Sequence, residues 1–320
     1  GVMHLEGDLM QISIGHVCNF VLLATLNNLL EQEIIDMNES RPFTHYLVCE
    51  TNRLRIKPES IKHRESEIAF TVFMQVNDFD WEAYDITMPR VRDGITLFLK
   101  VEGNYVQLNK SNGDSHQFAN TFLFLERVAK FTDNSEMLSS ILKLDVQYIG
   151  KTEISKKYLR FKGHEKISKV ANEIIDNKPH KEIIVKLLSF QKPFTQMLVA
   201  PELPFDDSRD DWMPGGGLIE NMPRQHWISG VEGALIKYFQ PLYNVHYKDN
   251  YPSERHSSYG YFYDNNVRSI FVELHEEYMS YTTGNSHVPY TKIRLIQYAL
   301  RADDSGVYIH DNSQGFGLFV

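Results

Sequence analysis

The spacing of apolar residues in the first part of the chain predicts one long helix. Between residues 16 and 37 the apolar positions recur every three or four residues, which is the period of an amphipathic helix. They are Val17, Phe20, Val21, Leu23, Leu26, Leu29, Leu30, Ile34 and Met37. We interpret this stripe as the face of a helix that packs on the core, and a dimerisation helix is the alternative.

Short runs rich in β-branched and aromatic residues follow this segment and predict an antiparallel sheet. The runs are THYLVCE, NRLRIKP, EIAFTVFMQV, YDITMPRV, ITLFLKVEG and NYVQLNK. Glu102-Gly103-Asn104 predicts a hairpin turn between the last two runs. We therefore expect a β-rich N-terminal domain with one long helix over residues 1–135, and no motif assigns a role to it.

A second group of elements alternates between strands and helices and predicts an α/β domain over residues 136–320. Apolar periodicity indicates a strand at 145–150, a helix at 158–175, a strand at 182–190 and a helix at 227–239. The predicted fold class is therefore α+β. It consists of the β-rich N-terminal domain with its long helix, a small mixed sheet flanked by helices, an insertion at 191–226 and a C-terminal β extension at 248–320.

The composition favours a cytoplasmic protein of about two domains. The 320 residues carry a net charge of −9, so global charge does not favour nucleic acid, although a local basic cleft remains compatible with it. Cys18 and Cys49 form no CxxC pair, which excludes a cysteine-based zinc site and suits a reducing compartment. The first residues lack the basic region of a signal peptide, and asparagines interrupt the apolar run at 17–30, so we expect no membrane span.

Five polar residues in the second domain are candidates for chemistry. Tyr148 lies near the end of the first strand of that domain. Arg160 and His164 are four residues apart, which places both on one face of the predicted helix. Glu232 lies within the last predicted helix, and Asn244 follows it. Each residue alone is most often a solvated surface group, so the ordered set carries the argument.

In this order and spacing the residues resemble the GIY-YIG nuclease family. Tyr148-Ile149-Gly150 matches the YIG element. The arginine ten residues later and the histidine four further on match the catalytic helix. The segment VEGALIKYFQPLYN matches the helix of the metal-binding glutamate and the P-x-x-N that follows it. The resemblance covers residues 140–247, about a third of the chain.

The resemblance implies a metal-dependent endonuclease that hydrolyses phosphodiester bonds in DNA. It makes Glu232 the ligand of one Mg²⁺ or Mn²⁺ ion that otherwise keeps its waters and binds a substrate phosphate oxygen. Arg160 would clamp the phosphate, and His164 would orient or activate the attacking water. Tyr148 would hydrogen-bond the nucleophile or act as part of the base, and Asn244 would hold the Glu232 region in place.

The same resemblance sets expectations about partners. DNA is the expected substrate, and a homo-oligomer is expected if both strands are cut, because one such site cuts one strand at a time. The large additional domain and the acidic balance suit a guarded enzyme with a regulatory protein partner, as in restriction or anti-phage defence. This step rests on analogy with the fold alone.

The first motif of the family, a Gly-Ile-Tyr strand about ten residues before YIG, is missing. Residues 135–139 are SEMLS, and the nearest similar tripeptide is Gly103-Asn104-Tyr105. Three interpretations stay open. Tyr105 serves from a distant strand, Tyr148 and His164 share the role of the base, or the site is degenerate. The last interpretation gives the alternative function, a nucleic-acid-binding or scaffold protein that keeps the fold without activity.

Two flanking stretches have less specific patterns. Four aspartates between residues 206 and 211, followed by three glycines at 215–217, indicate a flexible acidic loop and a flap over the site. After Asn244, tyrosines alternate with basic residues, and they either stack on bases or pack on the core. These residues are Tyr247, Tyr251, Tyr259, Tyr261 and Tyr263 with His246, Lys248, Arg255 and His256.

Overall fold

The computed structural model describes residues 10–29, 31–132, 134–152, 154–155, 160–161, 164–199, 222–251, 257–264, 267–275, 280–283, 286–288, 293–300 and 307–311. Within these ranges the chain is a mixed α+β protein rich in strands. The strands are β1 Met10–Ala24, β2 His45–Asn52, β3 Leu54–Ile56, β4 Lys62–His63, β5 Glu67–Gln75, β6 Trp81–Pro89, β7 Val91–Arg92, β8 Ile95–Glu102, β9 Tyr105–Lys110, β10 Ser115–Phe118, β11 Lys143–Lys151, β12 Ile154–Ser155, β13 Arg160–Phe161, β14 Lys181–Phe190, β15 Phe194–Val199, β16 Val267–His275, β17 Ser280–Thr283, β18 Ser286–Val288, β19 Ile293–Ala299 and β20 Val307–Asp311. The α-helices are α1 Gln32–Ser40, α2 Thr121–Val128, α3 Ser135–Ile141, α4 His164–Asn177, α5 Arg224–Phe239 and α6 Ser257–Asp264.

A ten-stranded sheet at the centre of the fold contains strands from both ends of the chain. Its order is β18-β17-β11-β2-β14-β1-β16-β19-β20, and β15 pairs with the first part of β1. β1 runs parallel to β16 and β11 runs parallel to β17, whereas the other neighbouring pairs are antiparallel. β2 and β11 are neighbours although residues 53–142 separate them along the chain.

The predicted long helix at 16–37 is wrong. The chain there forms the long strand β1, then a short 3-10 turn at Leu26–Asn28 and the separate helix α1. β1 lies inside the sheet, with β14 and β15 on one side and β16 on the other. A strand that is covered on both faces carries apolar residues without strict alternation, so its pattern imitates that of a helix.

The predicted helix at 158–175 begins later than expected, at His164. Arg160 lies before it in β13, where it pairs with Ser155 of β12. Because the backbone of Arg160 pairs with β12, it is not part of the helix. Gly163, directly before His164, also disfavours extension of α4 towards the N-terminus. Arg160 and His164 therefore do not share one helix face, which corrects that prediction.

The other main elements of the second half agree with the sequence prediction. The strand at 145–150 is observed as β11, the strand at 182–190 as β14, and the helix at 227–239 as α5. β14 buries eight consecutive residues, and β11 and α5 bury most of their residues, which makes these patterns easy to recognise. The small mixed sheet expected from these strands is part of the larger central sheet, because β1 and β2 pair into it. No break in that sheet accompanies the proposed boundary at residue 135, and the division into two domains stays a prediction.

Residues 53–142 form an insertion between β2 and β11. One of its sheets has the order β10-β9-β8-β7, and in the other β5 pairs with β3, β4 and β6. The predicted hairpin turn between β8 and β9 is confirmed, with Glu102 paired to Tyr105. Gly103 has a φ of 59° in this turn, a conformation that glycine adopts without the steric cost of a Cβ.

Helices cover the two faces of the central sheet around β2. On one face, Val48 of β2 packs with the apolar side of α4, which buries Ile167, Val170 and Ile174. Full burial of each such side chain stabilises the fold by about 1.5–3 kcal/mol. On the other face, Leu47 joins the core to which α5 contributes eight buried residues. The end of β11 lies between these two layers, at the place where the candidate residues meet.

Candidate active site

Gly150 of the YIG element supports a tyrosine from the neighbouring strand. The antiparallel register pairs Gly150 with Tyr46 of β2. A Cβ at Gly150 would lie 2.5 Å from both the Cζ atom and the hydroxyl oxygen of Tyr46, so only glycine leaves room for the ring in this position. Tyr46 is 2% exposed, and its ring centre lies 6.0 Å from that of Tyr148. Strand pairing thus brings together two tyrosines that are far apart in sequence.

The two tyrosine hydroxyls form a hydrogen-bonded pair. Burial is the main cause that raises the pKa of Tyr46 well above its usual range, and Tyr46 donates its hydrogen bond to Tyr148. Burial also raises the pKa of Tyr148, but this hydrogen bond acts in the opposite direction. The Lys166 ammonium of α4 lies 5.3 Å from the centre of the Tyr148 ring. Tyr148 is consequently the hydroxyl whose ionised form its surroundings stabilise more.

Glu232 of α5 is a largely buried carboxylate beside this pair. Its side chain is 13% exposed, and its carboxylate lies 3.3 Å from the ammonium of Lys151, the residue after the YIG glycine. Burial raises the pKa of Glu232, whereas Lys151 lowers it. After burial, the charge of Glu232 is a further cause that raises the pKa of Tyr46, Tyr148 and Tyr247. The carboxylate therefore lies within electrostatic range of three tyrosine hydroxyls.

Asn244 fastens the loop after α5 to the YIG strand. Its amide nitrogen donates to the Ile149 carbonyl at 2.9 Å, and its amide oxygen accepts from the Ile149 N–H at 2.8 Å. The N–H of Tyr243 also donates to the Gln147 carbonyl at 3.0 Å. Asn244 is 9% exposed, so no solvent would replace these bonds easily. The arrangement fixes the helix that carries Glu232 relative to the strand that carries Tyr148.

The remaining predicted site residues are placed by their backbone only. Arg160 lies in β13 and His164 is the first residue of α4, and the side chains of both are outside the described part of the chain. Tyr105 lies on β9 in a sheet of the insertion, is 53% exposed and does not neighbour β11. The strand beside YIG is instead β2, so the interpretation that assigned Tyr105 to the site loses its structural basis.

Sequence reasoning missed Tyr46 and Lys151, and it named Tyr247 only as part of the tyrosine-rich stretch after Asn244. Tyr46 lies in the run THYLVCE, which was correctly predicted as a strand but assigned to a separate domain. Two paired strands are normally recognised in a sequence when a short turn joins them. Here the insertion at 53–142 separates β2 from β11, so their pairing has no such signal. Lys151 was visible directly after Gly150, but nothing in the sequence indicated that it pairs with Glu232, which lies six elements later.

The tyrosine-rich stretch after Asn244 packs at least partly on the core. Tyr251 is 4% exposed, and its hydroxyl donates to the Gly230 carbonyl at 3.1 Å. A Cβ at Gly233 would lie 2.5 Å from the Tyr251 ring, so the residue next to Glu232 must be small. Tyr259 with Arg255 and His256, and the acidic loop and glycines at 206–217, lie outside the described residues or side chains.

Two buried histidines lie behind the site. The Nε2 N–H of His45 donates to the Ile228 carbonyl of α5, and its Nδ1 hydrogen-bonds with the Thr44 hydroxyl, both at 2.8 Å. His16 of β1 stacks on Trp227, and its two nitrogens have no partner within the described residues. Burial lowers the pKa of His16 to about 3 and that of His45 to about 4. Both rings are therefore neutral at pH 7 and belong to the core.

The donor set fits a divalent ion with a single protein carboxylate. No group of three or more His, Cys, Asp or Glu side chains suited to a metal occurs among the residues that the structure describes. Mg²⁺ commonly keeps several waters and binds through one or two carboxylates together with substrate phosphate. Glu232 provides the one carboxylate that such a site requires. In this structure the ammonium of Lys151 is the cation beside that carboxylate. The residues present are thus compatible with Mg²⁺ or Mn²⁺ held by Glu232.

Positive charge is concentrated around the site in this acidic chain. Residues 151–169 contain seven Lys and Arg residues and only two Glu residues, although the whole chain has a net charge of −9. This segment begins at the end of the YIG strand and runs into α4, so the charge follows Tyr148 along the chain, and its first residue, Lys151, contacts Glu232. A local field of this kind attracts phosphate irrespective of the global charge.

Comparison of the chain with protein-family models, with curated proteins and with solved structures found no match. None of the described helices has both the length and the apolar character that a membrane crossing requires. Cys18 and Cys49 are both buried. The interpretation of the site therefore depends on the residues themselves.

Proposed function

We propose that the chain is a GIY-YIG-like, metal-dependent endonuclease that hydrolyses phosphodiester bonds in DNA. One observation carries this proposal: Tyr46 packs over Gly150 and hydrogen-bonds Tyr148, next to the buried Glu232 and its partner Lys151. β2 thus supplies the tyrosine that the missing first motif would have provided. The site needs no Gly-Ile-Tyr sequence, because strand pairing places the hydroxyl.

The substrate proposal follows from charge. The basic segment 151–169 offers phosphate contacts beside the hydroxyl pair, and the remainder of the chain is strongly acidic. Binding to DNA would then be local and would weaken steeply with salt, since phosphate contacts release counterions. Arg160 and His164 belong to this segment, and Arg160 is the residue type best suited to a bidentate phosphate contact.

The residues of the site divide the chemistry between them. Glu232 would hold one Mg²⁺ or Mn²⁺ ion, and the bound ion would supply stabilisation of the charge that develops on the phosphate. Tyr148 would accept the proton of the attacking water, with the hydrogen bond from Tyr46 opposing the rise in its pKa that burial and Glu232 cause. Asn244 keeps the helix of Glu232 and the strand of Tyr148 in register. This geometry supports Tyr148 as the base with assistance from Tyr46, an arrangement that none of the three sequence-based interpretations included.

Cleavage of supercoiled plasmid and of single-stranded DNA tests the proposal. Wild type is expected to cut in Mg²⁺ or Mn²⁺, and Glu232→Ala is expected to lose about 100-fold or more of the rate, since a metal supplies several kcal/mol of stabilisation. Glu59→Ala is the matched control, because the Glu59 side chain is 70% exposed on the insertion. Equal inactivity of wild type and Glu232→Ala with either metal would sink the nuclease proposal.

The same assay separates the alternative function. A catalytically degenerate protein would bind the DNA in a gel-shift experiment, would lose binding when salt is raised, and would show no metal-dependent product. A homo-oligomer and a role in restriction or anti-phage defence are extensions of the proposal. Sedimentation of the protein with and without DNA tests the first of these extensions.

A further inference from the structure

The acidic edge, which we define as residues 77–89, combines exposed aromatic rings with an unpaired strand. It consists of the loop after β5 and the whole of β6. Phe79 at the tip of the loop is 89% exposed, and Trp81 at the start of the strand is 43% exposed. Large exposed aromatic rings of this kind are typical of interaction surfaces, because their burial on binding releases ordered water.

One side of β6 is open. β5 carries β6 on one side and β3 and β4 on the other, and the described part of the chain provides no second partner strand for β6. The N–H of Thr87 donates to the Asn134 side chain at 3.2 Å, which shows that Thr87 points to the open side. Alternate residues of an antiparallel strand point the same way, so Trp81, Ala83 and Asp85 present their backbone groups to that side.

The acidic edge carries a uniform charge. Asp78, Asp80, Glu82 and Asp85 lie within it, and it contains no Lys or Arg. Glu82 and Asp85 are exposed on β6, where they accept hydrogen bonds from Tyr84 and Thr71 and have no cationic partner among the described residues. An exposed edge strand is a template for pairing with another chain, and charge on it selects the partner.

We propose that the acidic edge binds an extended, Lys- or Arg-rich segment of a partner protein as an added strand. Backbone hydrogen bonds at Trp81, Ala83 and Asp85 would supply affinity, and the carboxylates would select the basic side chains. Phe79 and Trp81 would cover the apolar residues of the segment or stack on arginine. The inference stands apart from the nuclease proposal, since the acidic edge lies in the insertion and contains no residue of that site.

Charge also decides against two other occupants. Nucleic acid would meet four carboxylates without a neutralising cation within the edge. A second copy of this chain, paired through the same strand, would bring two sets of acidic side chains close together, and like charges across a strand pair are destabilising. A basic peptide segment meets neither penalty.

Titration of the whole protein with defined peptides tests the proposal. The probe is a blocked nine-residue peptide that alternates lysine with valine, and the matched peptides replace every lysine with glutamate or the central valine with proline. We expect the lysine peptide to bind, the other two to bind at least about tenfold more weakly, and the amides of Ala83 and Asp85 to exchange more slowly in its presence. Raising NaCl from about 0.1 M to about 1 M should weaken binding, since the screening length falls from about 10 Å to about 3 Å.

Protein variants locate the contact. Glu82→Lys and Phe79→Ala are each expected to weaken the lysine peptide about tenfold, and both residues are exposed, so the fold should persist. Asp93→Lys and Tyr105→Ala are the controls, because they change an exposed charge and an exposed ring elsewhere in the insertion. Equal binding by all four variants overturns the proposal. So does equal binding of the glutamate peptide or of single-stranded DNA, or a concentration-dependent dimer that Glu82→Lys abolishes.

Discussion

Two glycines, which have no side chain, allow two tyrosine rings to pack against the elements that carry the candidate site. Gly150 leaves room for Tyr46, and Gly233 leaves room for Tyr251 next to Glu232. In both cases a Cβ would come within 2.5 Å of ring atoms. The YIG glycine thus has a steric role that its position in a three-residue motif does not reveal.

Gly150→Ala should therefore damage both the fold and the site. Overpacking in a well-packed region costs about 1–3 kcal/mol, and displacement of the Tyr46 ring would break its hydrogen bond to Tyr148. Urea denaturation measures the loss of stability. In a Tyr46→Ala background the same glycine substitution should cost close to nothing, because the ring is gone. Additive losses in the double variant would refute the steric role.

The buried histidines predict how stability depends on pH. The folded state holds His16 and His45 neutral, with pKa values of about 3 and about 4 against 6.5 in the unfolded chain. The unfolded chain binds more protons in this window, so the free energy of unfolding should fall as pH drops from about 6.5 towards 3. Each histidine contributes at most about 1.4 kcal/mol per pH unit.

His16→Phe is the variant that isolates this effect. It keeps a ring against Trp227 and removes a titratable group without hydrogen-bond partners in the described residues. Denaturation midpoints between pH 4 and pH 7 should depend less on pH in His16→Phe than in wild type. His116→Gln, which changes an exposed histidine, should follow wild type. An unchanged slope in His16→Phe would contradict the assignment.

At the scale of elements, burial decided which predictions succeeded. β14 was recognised because its buried residues form an unbroken run, and α5 because its buried residues recur over a segment of helical length. β1 was mistaken for a helix because strands flank it on both sides and both its faces are covered. The start of α4 was misplaced because the short ladder of β12 and β13 precedes it. The pairing of β2 with β11 depends on contacts across the insertion, and no local pattern in the sequence encodes it.

In the loop after α5, we expect loss of the Asn244 side-chain amide to reduce the stability of the fold strongly. Asn244→Ala would leave the buried N–H and carbonyl of Ile149 without their partners, and each such loss costs about 1–3 kcal/mol. Asn244→Asp keeps the oxygen that accepts from the Ile149 N–H but loses the group that donates to the Ile149 carbonyl. The free energy of unfolding of Asn244→Asp should therefore lie between that of wild type and that of Asn244→Ala. Urea denaturation measures both, with the exposed Asn172→Ala on α4 as control. A loss below about 0.5 kcal/mol in Asn244→Ala would argue against the fastening role.

At the scale of the whole molecule, one sheet links the first fifty residues to the last described strand. β1 and β2 lie among strands from the second half of the chain, and the insertion separates two neighbouring strands, β2 and β11, whose register shifts once between Val146 and Tyr148. The candidate site is consequently assembled from residues 46, 148, 151 and 232, and it depends on the complete sheet. The acidic edge and the basic segment at 151–169 divide the surface into parts suited to different partners.

The contribution of Tyr46 is the most direct test of this account. Single-turnover cleavage of DNA in Mg²⁺ or Mn²⁺ should be slowed about 100-fold or more in Tyr46→Phe and in Tyr148→Phe, the range typical of acid–base groups. Tyr105→Phe, on the exposed hairpin of the insertion, should cleave like wild type. Cleavage by Tyr46→Phe at the wild-type rate would contradict the claim that β2 supplies the missing tyrosine.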